Sequence, residues 1–269
     1  MNSSLFKTAK PLIGMVHCQA FPGSPSYVKD SWNGVIRNAL EEARVLIDGG
    51  VDAILFENAG DVPFVREEEL GPETAALMAV LVREIRSITE LPLGINVVAN
   101  AAKVSLAAAV AGGANFIRVN QWVNAYVSNE GLTNGMAGSV IRYRKLINGE
   151  NIAVLADVHV KHGSHAIVSD RSISEQAKDA AFYCADALVA SGSRTGDPTN
   201  LNELSEIKNA TKLPVFIGSG LTVENAEMLV PNCDGAIVGF GLKNIPTWDS
   251  QVDIKKVKEM KRIFDKYRK

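Results

Sequence analysis

Residues 213–241 read LPVFIGSGLTVENAEMLVPNCDGAIVGFG. The run 213–218 is short and apolar and opens on Leu213-Pro214, a dipeptide that stops a helix and starts a strand. It leads into Gly218-Ser219-Gly220. Thr222 follows as a candidate N-cap, and the stretch beyond it reads as a helix. A second apolar run, 235–240, then leads into Gly239-Phe240-Gly241. Neither run alternates strictly between apolar and polar residues, as expected of parallel strands covered on both faces.

The same unit recurs upstream. Further apolar runs lie at 11–17, 51–57, 92–98, 115–121, 152–160 and 186–190, with helical stretches between them. The first helix covers about 31–48, Pro72 sits at a first-turn position, and Asn200 with Glu203 has capping-box spacing. Gly49-Gly50 and Gly112-Gly113 end helices just before strands, where a left-handed glycine closes a short αβ turn. The last segment, 253–269, sets Ile254, Val257, Met260, Phe264 and Tyr267 on one stripe, with lysines and Arg262 on the other faces; it reads as a solvated outer helix. Eight strands alternating with eight helices predict α/β architecture: a single (β/α)8 TIM barrel with a closed parallel sheet, spanning 1–269 as one domain. A doubly wound open sheet would carry a Gly-rich turn after the first strand. Here that turn is His17-Cys18-Gln19-Ala20-Phe21-Pro22-Gly23.

The 269 residues include 28 Lys+Arg and 30 Asp+Glu, a net charge of −2, with 46% hydrophobic residues. This is globular composition. It lacks the basic stripe that nucleic acid binding needs, and no run is long enough for a membrane span. The first ten residues have no apolar core of a signal peptide. Cys18, Cys184 and Cys233 are odd in number and widely spaced. Together these features point to a cytoplasmic protein with reduced thiols.

In such barrels chemistry sits at the carboxyl ends of the strands, on the βα loops. Four of those loops are long (about 18–30, 58–71, 121–137 and 161–174), as functional loops are. Gly218-Ser219-Gly220 and Gly239-Phe240-Gly241 follow strands seven and eight, where the fold commonly binds phosphate with bare backbone N–H groups; tight turns alone would also use glycine. Period-two geometry puts Asp157, His159 and Lys161 on one face of strand five, pointing into the mouth. His17, Arg118, Asn120, Asn96, Asn100 and either Glu57 or Asn58 would complete a polar ring suited to a hydroxylated substrate. Ser191 and Thr195, in the loop after strand six, could meet phosphate or a sugar hydroxyl. A divalent metal on some of His17, Glu57, Asp157 and His159 stays open, without diagnostic spacing. Arg66-Glu67-Glu68-Glu69 reads as a solvated charge run. The expectation is an enzyme for a small phosphorylated sugar or related metabolite, of isomerase, epimerase or lyase type. Its catalytic set is Asp157, His159, Lys161 and Glu57, with Asp157 or His159 as base and Lys161 as electrostatic partner or Schiff-base amine. The alternative is a non-catalytic assembly or regulatory factor. Self-association is left open.

Long motifs also resemble a known family. Pro11-Leu12-Ile13-Gly14-Met15-Val16-His17 with Phe21-Pro22-Gly23-Ser24-Pro25-Ser26-Tyr27 is similar to the start of the BtpA family. So are Phe56-Glu57-Asn58 with Asp61-Val62-Pro63-Phe64, the run Ala156 to His162, Ser191-Gly192 through Thr195-Gly196, and the two glycine pairs. The resemblance spans essentially the whole chain. It implies a barrel of the ribulose-phosphate-binding kind with phosphate at the two glycine loops, and within the family it runs nearest to a member associated with a bacterial carbohydrate-uptake gene cluster. The family is named for a photosystem I biogenesis factor but occurs in lineages without photosynthesis, so the resemblance implies no reaction. Cys18 and Phe21 stand where the family commonly has Leu.

Overall fold

Eight short parallel strands close into a barrel in the computed structural model, which describes residues 5–192 and 200–268. They are β1 (Leu12–His17), β2 (Ala53–Glu57), β3 (Leu93–Asn96), β4 (Phe116–Val119), β7 (Ala153–Val158), β8 (Ala187–Ala190), β9 (Val215–Ile217) and β10 (Gly235–Val238). Neighbours in sequence are neighbours in the ring, and β10 pairs with β1 to shut it. The outer layer is α1 (Trp32–Gly49), α2 (Pro72–Arg86), α3 (Ala102–Gly112), α4 (Ala137–Leu146), α5 (Ile173–Phe182), α6 (Leu201–Ala210), α7 (Val223–Leu229) and α8 (Ile254–Lys266). This is the (β/α)8 barrel that the alternation of apolar runs predicts. Pro72 is the first residue of α2, and Gly50 and Gly113 cap α1 and α3 in the left-handed region (φ 90° and 81°). On α8, Val257, Met260 and Phe264 are buried while Lys255, Lys258 and Arg262 are exposed.

Each strand sends alternate side chains inward. Ile13, Met15, Leu55, Phe116, Leu155, Val189, Phe216 and Ile237 fill the lumen. Phe6 plugs its amino end, with its ring 5.8 Å from that of Phe116 and 5.9 Å from that of Phe216. Leu12, Val16, Ile54, Phe56, Ile95 and Ile117 face outward onto the helices. Strands buried on both faces carry apolar residues at both parities, which is why the sequence runs show no alternation.

A polar residue just before a strand ties its neighbour in place at the amino end of the ring. Asp52 accepts from Leu12 N, Asn115 from Leu93 N, Asp186 from Val154 N and Asp234 from Val215 N, at 2.8 to 3.0 Å. These side chains satisfy N–H groups in the first two positions of each strand. Basic residues then pair with the clamps: Lys261 and Arg268 with Asp52, Arg144 with Asp186, Lys208 with Asp234.

Two long loops carry structure that the sequence reading does not foresee. Within 121–137, β5 (Ala125–Ser128) and β6 (Gly131–Asn134) form an antiparallel hairpin. In 58–71, Glu67 is half-buried, and its Oε1 accepts from Lys103 N (2.6 Å) and Val104 N (3.3 Å) at the start of α3. It is therefore an anchor for a helix start, and the solvated-run reading of Glu67 is corrected.

Close packing leaves no free space beside one glycine of the lumen. A Cβ on Gly94 would lie 2.2 Å from Phe116 Cε2 inside the lumen. Gly94→Ala is expected to cost about 1–3 kcal/mol through overpacking, lowering Tm by roughly 2–4 °C for each kcal/mol. Calorimetry of the variant checks this; an unchanged Tm would mean that the Phe116 ring is free to swing aside.

Candidate active site

The inward ladder continues past the apolar lumen into polar residues at the carboxyl end. His17 ends β1, Glu57 ends β2 and Asn96 ends β3, and they are successive register partners. Arg118 follows Phe116 on β4, and Asp157 follows Leu155 on β7. Above them opens a cavity of about 470 Å³, within the usual size range of small-molecule sites. Its wall includes His17, Glu57, Arg118, Asn120, Lys161, Gly218, Ser219, Gly220, Gly239, Phe240 and Gly241.

Hydrogen bonds sort these groups into roles. Asn96 Nδ2 donates to Glu57 Oε2 (2.8 Å), fixing that carboxylate at the edge of the cavity. Arg118 donates to both oxygens of Asp157 (Nε–Oδ2 and Nη2–Oδ1, each 2.9 Å), and Asn120 Nδ2 adds a third bond at 3.3 Å. The Asp157 side chain has no exposed surface and that of Arg118 only 2%. Asp157 thus lies behind Arg118 and orients it. Lys161 Nζ donates to Ser219 Oγ at 3.0 Å, linking the β7 loop to the glycine loop after β9. Burial and then the Arg118 charge lower the Lys161 pKa to about 8. Burial, followed by the charges of Lys243 and Lys161, lowers that of His17 to about 3, so its ring is neutral at physiological pH. His17 Nδ1 is buried without a hydrogen-bond partner among the described residues.

The glycine loops touch each other: a Cβ on Gly241 would lie 2.0 Å from Leu221 O. Gly241 is therefore needed for packing, and that requirement alone accounts for its identity.

Period-two parity fails at the end of β7. The strand stops at Val158, and His159 takes φ 57°, which turns its ring away. It lies 4.0 Å from the His165 ring, which stacks on Tyr126 of the hairpin at 5.2 Å. His159 does not line the cavity, whereas Lys161 does. Of the Glu57–Asn58 pair it is Glu57 that points inward. Asn58 is buried on the other side, bonded to Asp61 Oδ2 (2.9 Å) and Val98 N (2.8 Å). Ser191 is buried, with its Oγ 3.4 Å from Lys161 N. Thr195 lies outside the described residues. The four residues considered for a metal do not form a ligand set: both Asp157 oxygens are taken by Arg118 and His159 is stacked elsewhere. No other group of three His, Cys, Asp or Glu suited to a metal occurs among the described residues.

Several further wall residues stand outside the candidate site set read from the sequence. Val62 and Phe64 come from the 58–71 loop, Tyr126, Ser128, Asn129 and Glu130 from the hairpin, and Pro246 and Trp248 from the loop after β10. Lys243 is fully buried and holds that last loop, with Nζ donating to Glu42 Oε1 (3.0 Å), Trp248 O (2.9 Å) and Ser250 O (2.6 Å). Asn100, at φ 61°, joins the hairpin base through Gln121 N (2.7 Å).

Among solved structures, 3-hexulose-6-phosphate synthase from Salmonella typhimurium superposes with a TM-score of 0.61 at 11% identity, over 96% of this chain and 99% of the other. Thiamine phosphate pyrophosphorylase from Pyrococcus furiosus gives 0.58 at 16%, over 96% of each. These likenesses concern the fold. Sequence relatives are nearer. An uncharacterised protein of Archaeoglobus fulgidus is 41% identical over 87% of this chain and 92% of its own length. A mitochondrial protein of Caenorhabditis elegans is 37% identical over 97% and 96%. The photosystem I biogenesis protein BtpA of Synechocystis is 36% identical over 92% and 85%. No described helix is long and apolar enough to cross a membrane. With the BtpA family model matching residues 8–266, the chain belongs to the BtpA family.

Proposed function

We propose that this protein is an enzyme acting on a small phosphorylated sugar or related metabolite at the carboxyl-end mouth of the barrel. The observation that carries the reading is the Lys161 Nζ–Ser219 Oγ contact of 3.0 Å. It puts a cation on the Gly218-Ser219-Gly220 loop, in the same cavity as the Glu57 carboxylate. A phosphate held by that loop, by Gly239-Phe240-Gly241 and by Lys161 would leave the sugar over Glu57, Arg118 and Asn120. Glu57, oriented by Asn96, then serves as the base that moves a proton on carbon next to a carbonyl, and neutral His17 as a hydrogen-bond partner for the developing oxyanion. Asp157 keeps Arg118 aligned. Isomerisation and epimerisation begin with removal of that C–H proton; aldol-type cleavage begins instead with removal of the proton of the hydroxyl β to the carbonyl, which the same carboxylate can accept. The position of Lys161 at the phosphate loop favours the ammonium role over a Schiff base. The fold likeness to a hexulose-6-phosphate synthase and a thiamine phosphate pyrophosphorylase is in keeping with this substrate class.

The test is conversion of phosphorylated sugars and related phosphate esters, followed by NMR and mass spectrometry. A product of unchanged mass, or two fragments from one substrate, supports the reading. Binding of such compounds with none converted would move the assignment to a non-catalytic factor. That second reading is favoured by one observation, the 36% identity to a photosystem I biogenesis protein. A stable protein partner in pull-downs at moderate salt, without small-molecule binding, would support it. The cytoplasmic setting is likewise a proposal, and fractionation of cells expressing the tagged chain tests it.

Lys161 also sets a pH dependence. Its pKa of about 8 means that the ammonium is lost on raising pH through that value. A phosphate partner favours the charged form and raises the pKa in the complex, so binding takes up a proton near pH 8 and above. Ligand-induced stabilisation should therefore be full at pH 7 and decline as pH rises through 8 to 9. In Lys161→Ala it should be weak and flat over the same range. Thermal shifts from pH 7 to 10 measure this, and a wild-type response that does not decline would exclude Lys161 from the phosphate site.

A further inference from the structure

A bare sugar phosphate is polar over its whole surface, yet much of the cavity rim is aromatic. Phe64, Tyr126 and Trp248 come from three different loops and line the same 470 Å³ space as the glycine loops. The rim is built to stay there. The carbonyl of Trp248 accepts from fully buried Lys243 (2.9 Å), itself paired with Glu42. The loop bearing Phe64 is tied down by Asn58, whose Nδ2 donates to Asp61 Oδ2 (2.9 Å), and by Asp61 Oδ1, which accepts from Phe21 N (2.7 Å). Tyr126 is buried and stacked on His165. Trp248 keeps 37% of its surface exposed while lining this space. Beside Tyr126, the hairpin tip adds Ser128, Asn129 and Glu130 to the wall. Those side chains offer hydroxyl, amide and carboxylate groups, and so both donors and acceptors. Apolar faces with a hydrogen-bonding edge match a flat nitrogen heterocycle, whereas an aliphatic chain would leave the polar tip unused.

Resting on the phosphate reading above, we infer that the cavity takes a phosphorylated sugar that carries a planar nitrogen heterocycle. The phosphate lies at the glycine loops with Lys161, and the heterocycle lies against Trp248 and Phe64 with its polar edge at the hairpin tip. Nucleoside 5′-monophosphates are the probes with this chemistry.

The experiment is calorimetric titration of the whole protein with purine and pyrimidine nucleoside 5′-monophosphates, the matching nucleosides, ribose 5-phosphate and inorganic phosphate. It is repeated for Trp248→Ala and Phe64→Ala. Base–aromatic stacking predicts that at least one nucleotide binds roughly tenfold or more tightly than ribose 5-phosphate. Each variant should remove most of that advantage while leaving ribose 5-phosphate affinity as in wild type. Equal affinity for ribose 5-phosphate and every nucleotide, or an advantage that survives both substitutions, overturns the heterocycle subsite and leaves the phosphate reading standing. A nucleoside that binds as tightly as its monophosphate keeps the subsite but removes the phosphate reading on which the full inference rests. No binding by any probe overturns both.

Discussion

Asp157→Ala is expected to cost about 3–5 kcal/mol of stability, because it strands a buried guanidinium. Arg118 has 2% exposed side-chain surface and spends two of its donors on Asp157 at 2.9 Å. The loss is of the order of a third or more of a typical domain's total stability, so urea denaturation should show it as a clear fall in midpoint. The double variant Asp157→Ala, Arg118→Met should recover much of the loss, since removing both charges costs less than leaving one unpaired. A loss below about 1 kcal/mol for Asp157→Ala would show that the pair is solvated in solution. Such a result would also undo the account of Arg118 as a fixed member of the cavity wall.

The second large effect concerns Glu57. On whichever phosphorylated compound is turned over, Glu57→Gln should lower kcat by roughly 10²- to 10⁴-fold, the usual contribution of a positioned base. Affinity for the compound should change little, because Gln keeps the shape and the phosphate is held on the other side of the cavity. Asn96→Ala should fall between wild type and Glu57→Gln, since it removes only the 2.8 Å bond that orients the carboxylate. It is a positioning residue, so Asn96→Ser, whose hydroxyl can still donate, should give partial rescue, and the pH profile of kcat should shift in Asn96→Ala. If Glu57→Gln keeps full turnover, the base is another group.

The barrel is legible from the apolar runs because each of its eight strands sits between two layers of core. The runs overreach the strands, however. The run 152–160 becomes a strand ending at Val158, and 92–98 one ending at Asn96. Past the last ladder pair nothing enforces alternation, so parity places Asp157 correctly in the lumen but carries His159 to the wrong side. The left-handed turn at His159, a conformation uncommon for L-residues, has no signature in Val158-His159-Val160. The hairpin has no trace in the sequence because its two strands have four residues each and mixed polarity, too little for a period to emerge. Its support is non-local, through the two backbone bonds between Val127 and Ser164. The strand clamps did leave a trace: a polar residue stands just before Ala53, Phe116, Ala187 and Gly235, at the start of β2, β4, β8 and β10. Lys243 left none, since its burial depends on Glu42, 201 positions away.

The proposed phosphate site is formed by Lys161 and the two glycine loops. Thermal unfolding against matched phosphorylated and dephosphorylated compounds tests it most directly. A ligand at about 100 times its Kd stabilises the fold by roughly 2.7 kcal/mol, a shift of several degrees. Such a shift is expected with at least one phosphate ester, none with its dephosphorylated counterpart, and a much smaller one in Lys161→Ala. Equal shifts with and without the phosphate group, or no shift with any ester, would contradict it.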